Sequence, residues 1–131
     1  IRRADYLKPE VLKYHGVLPT AYYRKALQKI KDKFPDLHVF IFSDDIPYAI
    51  ANFADVSNST IVQGNENHGW KDMALMSYCK HHIIANSSFS WWGAWLSENE
   101  FGVKIAPRKW FNPEVVQFNI DNIVPEKWIK I

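Results

Sequence analysis

The sequence contains very little cysteine: Cys79 is the one cysteine in 131 residues. A single thiol cannot form an internal disulfide, so packing has to hold the fold together, and a reducing compartment is the natural expectation. No apolar run approaches the roughly 20 residues of a membrane-spanning helix, and no signal peptide is recognisable. The formal net charge is only +2, which by itself indicates neither a nucleic-acid partner nor an anionic membrane.

Several signatures of nucleotide, metal and nucleophile sites are also missing. The five glycines form neither G-x-G-x-x-G nor a P-loop, which disfavours the usual dinucleotide and triphosphate sites. No G-x-S-x-G elbow or cysteine–histidine pair supports nucleophilic catalysis. Asp44 and Asp45 could bind a divalent metal or cap the helix that follows, but they lack a nearby acid or histidine cluster. The adjacent His81 and His82 would face opposite ways on a strand. No metal site is therefore expected.

The sequence is instead rich in apolar residues, at 47%, and in aromatic residues, at 15%, enough for the core of one domain. Short apolar runs alternate with segments of helical periodicity. Helices are expected at 19–34, 47–53, 70–79 and 89–99, and strands at 38–42, 59–64, 81–86 and 103–107. Residues 1–3 are expected to end a first strand, and 108–131 to hold a closing turn and a last short element. Because residues 4–18 contain Pro9 and Gly16, they are expected to form a loop with at most a short turn.

Strands separated by single helices require crossover connections and favour a parallel sheet. The predicted fold is therefore α/β, a Rossmann-like parallel sheet flanked by helices, and the nearly unbroken apolar run at 38–42 indicates a strand buried on both faces. Ligands of such sheets bind beyond the carboxyl ends of the strands. This rule selects four polar sets, at 2–5, 43–45, 63–67 and 86–90.

Two of these sets could bind a phosphate. Asn86, Ser87 and Ser88 lead from a strand into a helix, whose first turn has unpaired N–H groups and a partial positive charge. The same residues could simply cap the helix. Arg2 or Arg3 could pair bidentately with a diphosphate, or form a surface ion pair with Asp5.

Two further features leave alternatives open. The Asp72 carboxylate could accept hydrogen bonds from a guanine edge, or simply stabilise the first turn of its helix. Trp91, Trp92 and Trp95 could anchor the helix to the sheet with one ring exposed, or form a stacking platform for sugars.

Four stretches together resemble a known family. "IRRADY" (1–6) resembles the H-x-R-R-G-D-Y motif of the α-1,2-fucosyltransferases, glycosyltransferase family 11, and "FIFSDD" (40–45) resembles their second conserved stretch. The segment 72–96, which contains the highly specific S-S-F-S-W-W run, is similar to the longest signature of the family. "IAPRKWF" (105–111) resembles the segment that follows it.

The resemblance implies an inverting transferase that moves fucose from GDP-fucose to a galactose hydroxyl. It also implies a two-lobed GT-B-like architecture that works without an essential metal or other cofactor. Residues 1–131 would be the C-terminal, donor-binding lobe of a longer protein with an N-terminal acceptor lobe.

The resemblance also carries residue roles. It implies that Arg3 holds the donor diphosphate, with Arg3 and Asp5 as the catalytic candidates and Asp5 a possible general base, unless the base lies in the other lobe. Ala4 departs from the family pattern, which has glycine there. The donor-binding candidates are Arg2, Arg3, Asp72, Asn86, Ser87, Ser88, Phe89 and Ser90.

The expected partners are GDP-fucose and a galactose-terminated glycan, with no nucleic acid. The expected location is the bacterial cytoplasm, with peripheral membrane association through the full-length protein. Two other functions stay open: a noncatalytic nucleotide-sugar-binding domain, and a carbohydrate-binding module that uses the tryptophans.

Overall fold

A computed structural model describes residues 1–65, 67–116 and 122–131. Its helices are a 3-10 turn at Asp5–Leu7, α1 (Pro9–His15), α2 (Thr20–Lys31), α3 (Ile46–Phe53), α4 (Gly69–Ser77) and α5 (Ser88–Trp95). Its strands are β1 (Val39–Ile41), β2 (Ser59–Ile61), β3 (His82–Ile83), β4 (Lys104–Ala106) and β5 (Ile129–Lys130). Helices and strands therefore alternate from α2 to β4, as the periodicity predicted.

The chain forms an α/β fold in which every strand pair is parallel. β1 pairs with β2, while β3, β4 and β5 form a second sheet in that order. The predicted parallel sheet with helices is confirmed, except that the described residues form two sheets rather than one. The two-lobed GT-B-like architecture stays a prediction.

Three local predictions were wrong. Residues 1–3 form no strand, although the Ile1 nitrogen lies 2.6 Å from the carbonyl oxygen of Phe42. Residues 4–18, predicted to be a loop, contain the 3-10 turn and α1. β1 is not buried on both faces, because the Phe40 side chain remains 51% exposed.

The starts of two central helices follow from their sequences. Pro19 is the N-cap of α2, and Tyr23, Ala26 and Ile30 form its buried face at helical spacing. The Asp45 side chain caps α3 by accepting a hydrogen bond from Tyr48 N at 3.0 Å. Both helices thus begin where proline and capping residues place them.

One hydroxyl ties α2 to β3. The Tyr22 hydroxyl donates to the carbonyl oxygen of Ile84 at 2.7 Å. Pro107, directly after β4, has no N–H with which to pair this carbonyl. The Tyr22 side chain of α2 therefore donates to a carbonyl group that β4 cannot pair.

The described residues form three apolar clusters, and the one with the buried tryptophans packs against α5. Ile84, Ala94, Ala106, Trp110, Val124 and Trp128 pack together there, with the partly buried Trp91 against them. The Trp91 indole also donates to Ile123 O at 2.8 Å. Trp91 is thus an anchor of α5, as one of the two interpretations of the tryptophans predicted.

A close helix contact fixes α4 against α5. A Cβ atom at Gly93 would lie 2.8 Å from Met76 Sδ and 2.9 Å from Met76 Cβ. Such distances are shorter than carbon atoms tolerate, so only glycine allows this approach. Because α4 and α5 both contribute residues to the cleft described below, this contact also holds that part of its lining together.

We expect Gly93→Ala to destabilise the protein, because it overpacks this contact. Overpacking costs roughly 1–3 kcal/mol, and the better helix propensity of alanine returns at most about 1 kcal/mol. Urea unfolding measures the net loss. Gly69→Ala is the matched control, since a Cβ there would meet Phe89 at an ordinary 3.5 Å. Equal stability of the two variants would contradict this account of the helix contact.

The buried His82 makes stability depend on pH. Burial lowers its pKa from 6.5 to about 4, although the hydrogen bond to Cys79 O acts in the opposite direction. Between these two pH values the unfolded chain binds a proton that the folded protein does not. The free energy of unfolding should therefore fall, by roughly 3 kcal/mol for this group, as pH drops from 6.5 to 4.

Urea unfolding at a series of pH values measures this slope, and His82→Gln should flatten it. His15, His81 and the Ile1 amino group, whose pKa values burial also lowers, contribute to the slope that remains, as does Asp55, whose pKa is lowered by its hydrogen bond from Arg24. An identical slope in the two proteins would rule out His82 as the source.

Candidate functional site

The strand-end rule leads to a cleft of about 290 Å³ beyond the carboxyl ends of β1, β2 and β3. It is lined after β1 by Ser43 and Asp44, after β2 by Gln63 and Asn65, and after β3 by Ala85 and Ser87. All four polar sets predicted from the sequence contribute to this lining, although Glu66 of the third set lies outside the described residues.

The cleft does not contain every predicted donor-binding residue. Its lining includes Arg2, Asp72, Ser87, Phe89 and Ser90. The other candidates, Arg3, Asp5, Asn86 and Ser88, lie around it without lining it. The roles assigned to all of these residues stay predictions.

Asp44 organises the arginine segment at 2–5, which we call the arginine loop. Its carboxylate accepts hydrogen bonds from the main-chain nitrogen of Arg3 at 2.8 Å and of Ala4 at 3.2 Å. The same carboxylate lies 3.2 Å from the guanidinium of Arg2. Arg2 is held from its other side by Asp5, at 2.6 Å. One acid from the end of β1 therefore fixes both the backbone of the loop and one of its charges.

Arg3 is held by α3. Its Nε atom lies 3.4 Å from the Asp45 carboxylate, and its guanidinium carbon lies 4.0 Å from the centre of the Tyr48 ring. The Tyr48 hydroxyl in turn shares a 2.6 Å hydrogen bond with Thr20. The guanidinium is thus stacked and ion-paired at the rim of the cleft.

The departure at Ala4 requires no special backbone conformation. Ala4 has φ −51° and ψ −62°, which any L-residue adopts readily. Alanine therefore fits at this position without strain, in place of the glycine that the resembling family has.

The turn from β3 into α5 is shaped by its own side chains. Ser90 Oγ accepts from Ala85 N at 3.1 Å and donates to Ser87 O at 3.1 Å. Ser87 is the N-cap of α5, but its hydroxyl makes no capping bond. In the described part of the chain, no side chain bonds the first-turn N–H groups of α5, so these donors remain open for an anion.

The Asn86 side chain is used for structure. It is 1% exposed, and its amide nitrogen donates to His15 O at 2.8 Å and to Trp110 O at 3.2 Å. Its main-chain oxygen accepts from the Tyr6 hydroxyl at 3.0 Å. Asn86 therefore joins the turn before α5 to α1 and to the arginine loop.

Asp72 lies in the first turn of α4 and lines the cleft. One carboxylate oxygen accepts from Asn65 Nδ2 at 2.8 Å. This hydrogen bond orients the carboxylate and, within the described residues, leaves the second oxygen available to a ligand donor.

Sequence reasoning missed the positioning role of Asp44 and the stacking role of Tyr48. Asp44 was weighed only as a metal ligand or a helix cap, although its place directly after β1 marked it as a site residue. Nothing in the local sequence marks Tyr48, because its partner Arg3 lies 45 positions earlier. Long-range contacts of this kind become visible only in the folded chain.

The tryptophans differ in exposure. Trp91 stacks on Trp95 with ring centres 4.9 Å apart and planes inclined by 10°. Trp92 and Trp95 are about half exposed, at 48% and 49%, so two rings rather than one remain open to solvent. None of the three lines the cleft.

The described residues contain neither a metal-binding cluster nor a membrane-spanning helix. No group of three or more His, Cys, Asp or Glu side chains in the described ranges is arranged to hold a metal ion. No helix within the same ranges is long and apolar enough to cross a membrane.

Comparisons with known proteins agree on one family. The model of Glycosyl transferase family 11 matches residues 1–131. The chain is 42% identical over 133 residues to the O-antigen biosynthesis glycosyltransferase WbnK of Escherichia coli, a match that covers 100% of this chain and 43% of that protein.

The names of two other relatives specify different transferred sugars. The chain is 43% identical over 136 residues to an alpha-1,2-colitosyltransferase of Escherichia coli, covering 100% of this chain and 46% of that protein. It is 28% identical over 138 residues to galactoside alpha-(1,2)-fucosyltransferase 1 of Lagothrix lagotricha, covering 92% and 37%. The chain thus spans less than half the length of these curated relatives. No solved structure gives a significant match.

We expect Asp44→Ala to destabilise the protein by roughly 2 kcal/mol, because it leaves two main-chain donors and a guanidinium without their acceptor. Chemical unfolding measures the loss. Asp55→Ala is the control: Asp55 also pairs with an arginine, Arg24, but on the open surface, where such pairs contribute little. A loss at Asp44 no larger than at Asp55 would contradict its organising role.

Proposed function

The chain belongs to glycosyl transferase family 11, and from that premise we propose that it forms the donor-binding part of an inverting α-1,2-fucosyltransferase. The donor is GDP-fucose, and the acceptor is the 2-hydroxyl of a terminal galactose. The observation that carries the proposal is the cleft, where the Arg2 guanidinium, the turn with the open N–H groups of α5 and the oriented Asp72 carboxylate lie at the strand ends.

These groups match the parts of a guanosine diphosphate. The open N–H groups of α5 and the guanidinium of Arg2 suit the diphosphate. Asp72, which is held by Asn65, suits the guanine edge, because a carboxylate can accept hydrogen bonds from its N–H groups. Arg3 reaches the same diphosphate from the rim of the cleft, where Asp45 and Tyr48 hold it.

The reaction is a direct displacement. The acceptor oxygen forms a bond to the anomeric carbon of fucose, while the bond from that carbon to the diphosphate oxygen breaks. Both electrons of the broken bond leave with GDP, and the acceptor proton passes to a general base. Arginine and the helix N-terminus stabilise the charge on the leaving diphosphate, so the proposal requires no metal. Each donor of this kind contributes roughly 3 kcal/mol.

Asp5 is one candidate for the base. One of its oxygens pairs with Arg2, while the other is buried and without a partner in the described part of the protein. Asp5 does not line the cleft. A base from the remainder of the full-length protein is therefore the competing assignment.

The names of the relatives make the donor sugar an experimental question. One relative is named a colitosyltransferase and another a fucosyltransferase. Transfer assays with the full-length protein should compare GDP-fucose with GDP-colitose on the same galactoside. We expect the higher kcat/KM with GDP-fucose; preference for GDP-colitose would change the donor but leave the GDP site intact.

We also propose a bacterial, cytoplasmic protein, peripheral to the inner membrane through its full-length form. One relative is named for O-antigen biosynthesis, and the thiol of Cys79 is free, which suits a reducing compartment. Fractionation of cells that produce the full-length protein tests this placement, and recovery from the periplasm would contradict it.

Arg3→Ala should weaken GDP binding by roughly 10- to 100-fold, because the site loses a charge-assisted donor to phosphate. Isothermal titration of the full-length protein with GDP measures this effect. Arg24→Ala is the matched control, since Arg24 is an exposed arginine paired with Asp55 on the surface, and its GDP affinity should not change.

Arg2→Ala belongs in the same series, because Arg2 lines the cleft and Arg3 does not. If Arg3→Ala leaves the affinity for GDP unchanged and Arg2→Ala lowers it, Arg2 rather than Arg3 binds the diphosphate. Tight GDP binding without any transfer would identify a noncatalytic nucleotide-sugar-binding domain.

A further inference from the structure

The two sheets face each other across an apolar gap that no described element fills. A cavity of about 130 Å³ and a groove of about 1180 Å³ both lie there. The two spaces are continuous, because they share lining residues from both sheets and from α2, among them Leu27, Phe40, Phe42, Cys79, His81 and Ile83. We call this space the interstrand gap.

The edge of β1 that faces the gap has unpaired main-chain groups. Val39 N donates to Asn58 O and Ile41 O accepts from Val62 N, both at 2.9 Å, so these residues direct their peptide groups toward β2. Alternate residues of a strand bond to opposite neighbours, so Phe40 directs its N–H and C=O into the gap. No described residue bonds them there.

The edge of β3 that faces the gap also has unpaired main-chain groups. His82 N donates to Val103 O at 2.8 Å and Ile84 N donates to Ile105 O at 2.9 Å, so the peptide groups of His82 and Ile84 point toward β4. The N–H and C=O of Ile83 therefore point into the gap, and they have no partner among the described residues. Two facing strand edges with unsatisfied peptide groups, in apolar surroundings, are the environment that one further strand would complete.

Ile1 already occupies one end of the gap. Its nitrogen lies 2.6 Å from Phe42 O, on the same open edge of β1, and its side chain lines the smaller cavity. The chain then runs through Arg2 into the cleft at the carboxyl ends of the strands. A segment that enters the gap and ends at Ile1 would therefore run parallel to β1 and β3.

We propose that one β-strand occupies the interstrand gap. It is formed by the four or five residues that precede Ile1 in the full-length protein. Its alternate peptide groups pair with Phe40 on one side and Ile83 on the other. The strand joins the two sheets into one, in the order β2, β1, new strand, β3, β4, β5. The greater length of the curated relatives supplies the chain that this strand requires.

This strand also completes the cleft, although the inference does not depend on what the cleft binds. Its carboxyl end is the start of the arginine loop, so pairing on both sides would fix the direction in which Arg2 and Arg3 enter the site. The order of the completed sheet reverses between the new strand and β3, and such a crevice is where open parallel sheets bind ligands.

Amide hydrogen exchange in the full-length protein tests the pairing. The amides of Phe40 and Ile83 should exchange roughly a hundredfold or more slowly than the amide of Ile61. Ile61 is the matched control, because its N–H points to the outer edge of β2, away from its register partner Ile41. Exchange at Phe40 and Ile83 as fast as at Ile61 would overturn the proposal.

A photo-crosslinker identifies the occupant. Phe40→p-benzoylphenylalanine in the full-length protein should yield, after irradiation and mass spectrometry, a crosslink to the peptide that directly precedes Ile1. The same replacement at Phe101, which is 89% exposed, controls for random capture. A crosslink to a second copy of the protein, or to another segment of the same chain, would assign the gap to that occupant and refute ours.

Discussion

Asn86 is the residue on which the geometry of the site most depends. Its amide bridges the carbonyl oxygens of His15 and Trp110, and its own carbonyl accepts the Tyr6 hydroxyl. Three segments that are distant in sequence therefore meet at one buried side chain. Removal of its hydrogen bonds would leave several polar groups buried without partners, which costs more than the bonds contribute. The turn into α5 and Tyr6, which directly follows the arginine loop, take their positions from this point, while Asp44 fixes the loop itself.

The secondary structure could be predicted where local signals agree. Proline and an aspartate cap start α3, and helical spacing of apolar residues identifies α2. The missed helix α1 shows how the same signals can mislead. Pro9 and Gly16 were interpreted as loop residues, yet Pro9 occupies the first turn and Gly16 ends the helix with φ 65°. These are the positions that each residue favours at helix ends.

The location of the site was more predictable than the contacts inside it. Polar residues after strands mark the cleft, because parallel strands deliver their carboxyl ends to one edge. The individual bonds depend on residues far apart in the chain, as between Asp44 and Arg3 or between Asn86 and His15. The division into two sheets could not be predicted from the sequence either, because it depends on which strand edges meet in space.

The stacking of Arg3 on Tyr48 has a consequence for the entropy of binding. A free arginine side chain loses considerable rotamer freedom when it clamps an anion. Arg3 has already lost part of that freedom, because Tyr48 supports the face of its guanidinium and Asp45 holds one nitrogen. The remaining N–H groups lie along the edge of the plane and keep their fork geometry. Lysine, which lacks a planar head, would retain the charge at this position but not the prior ordering.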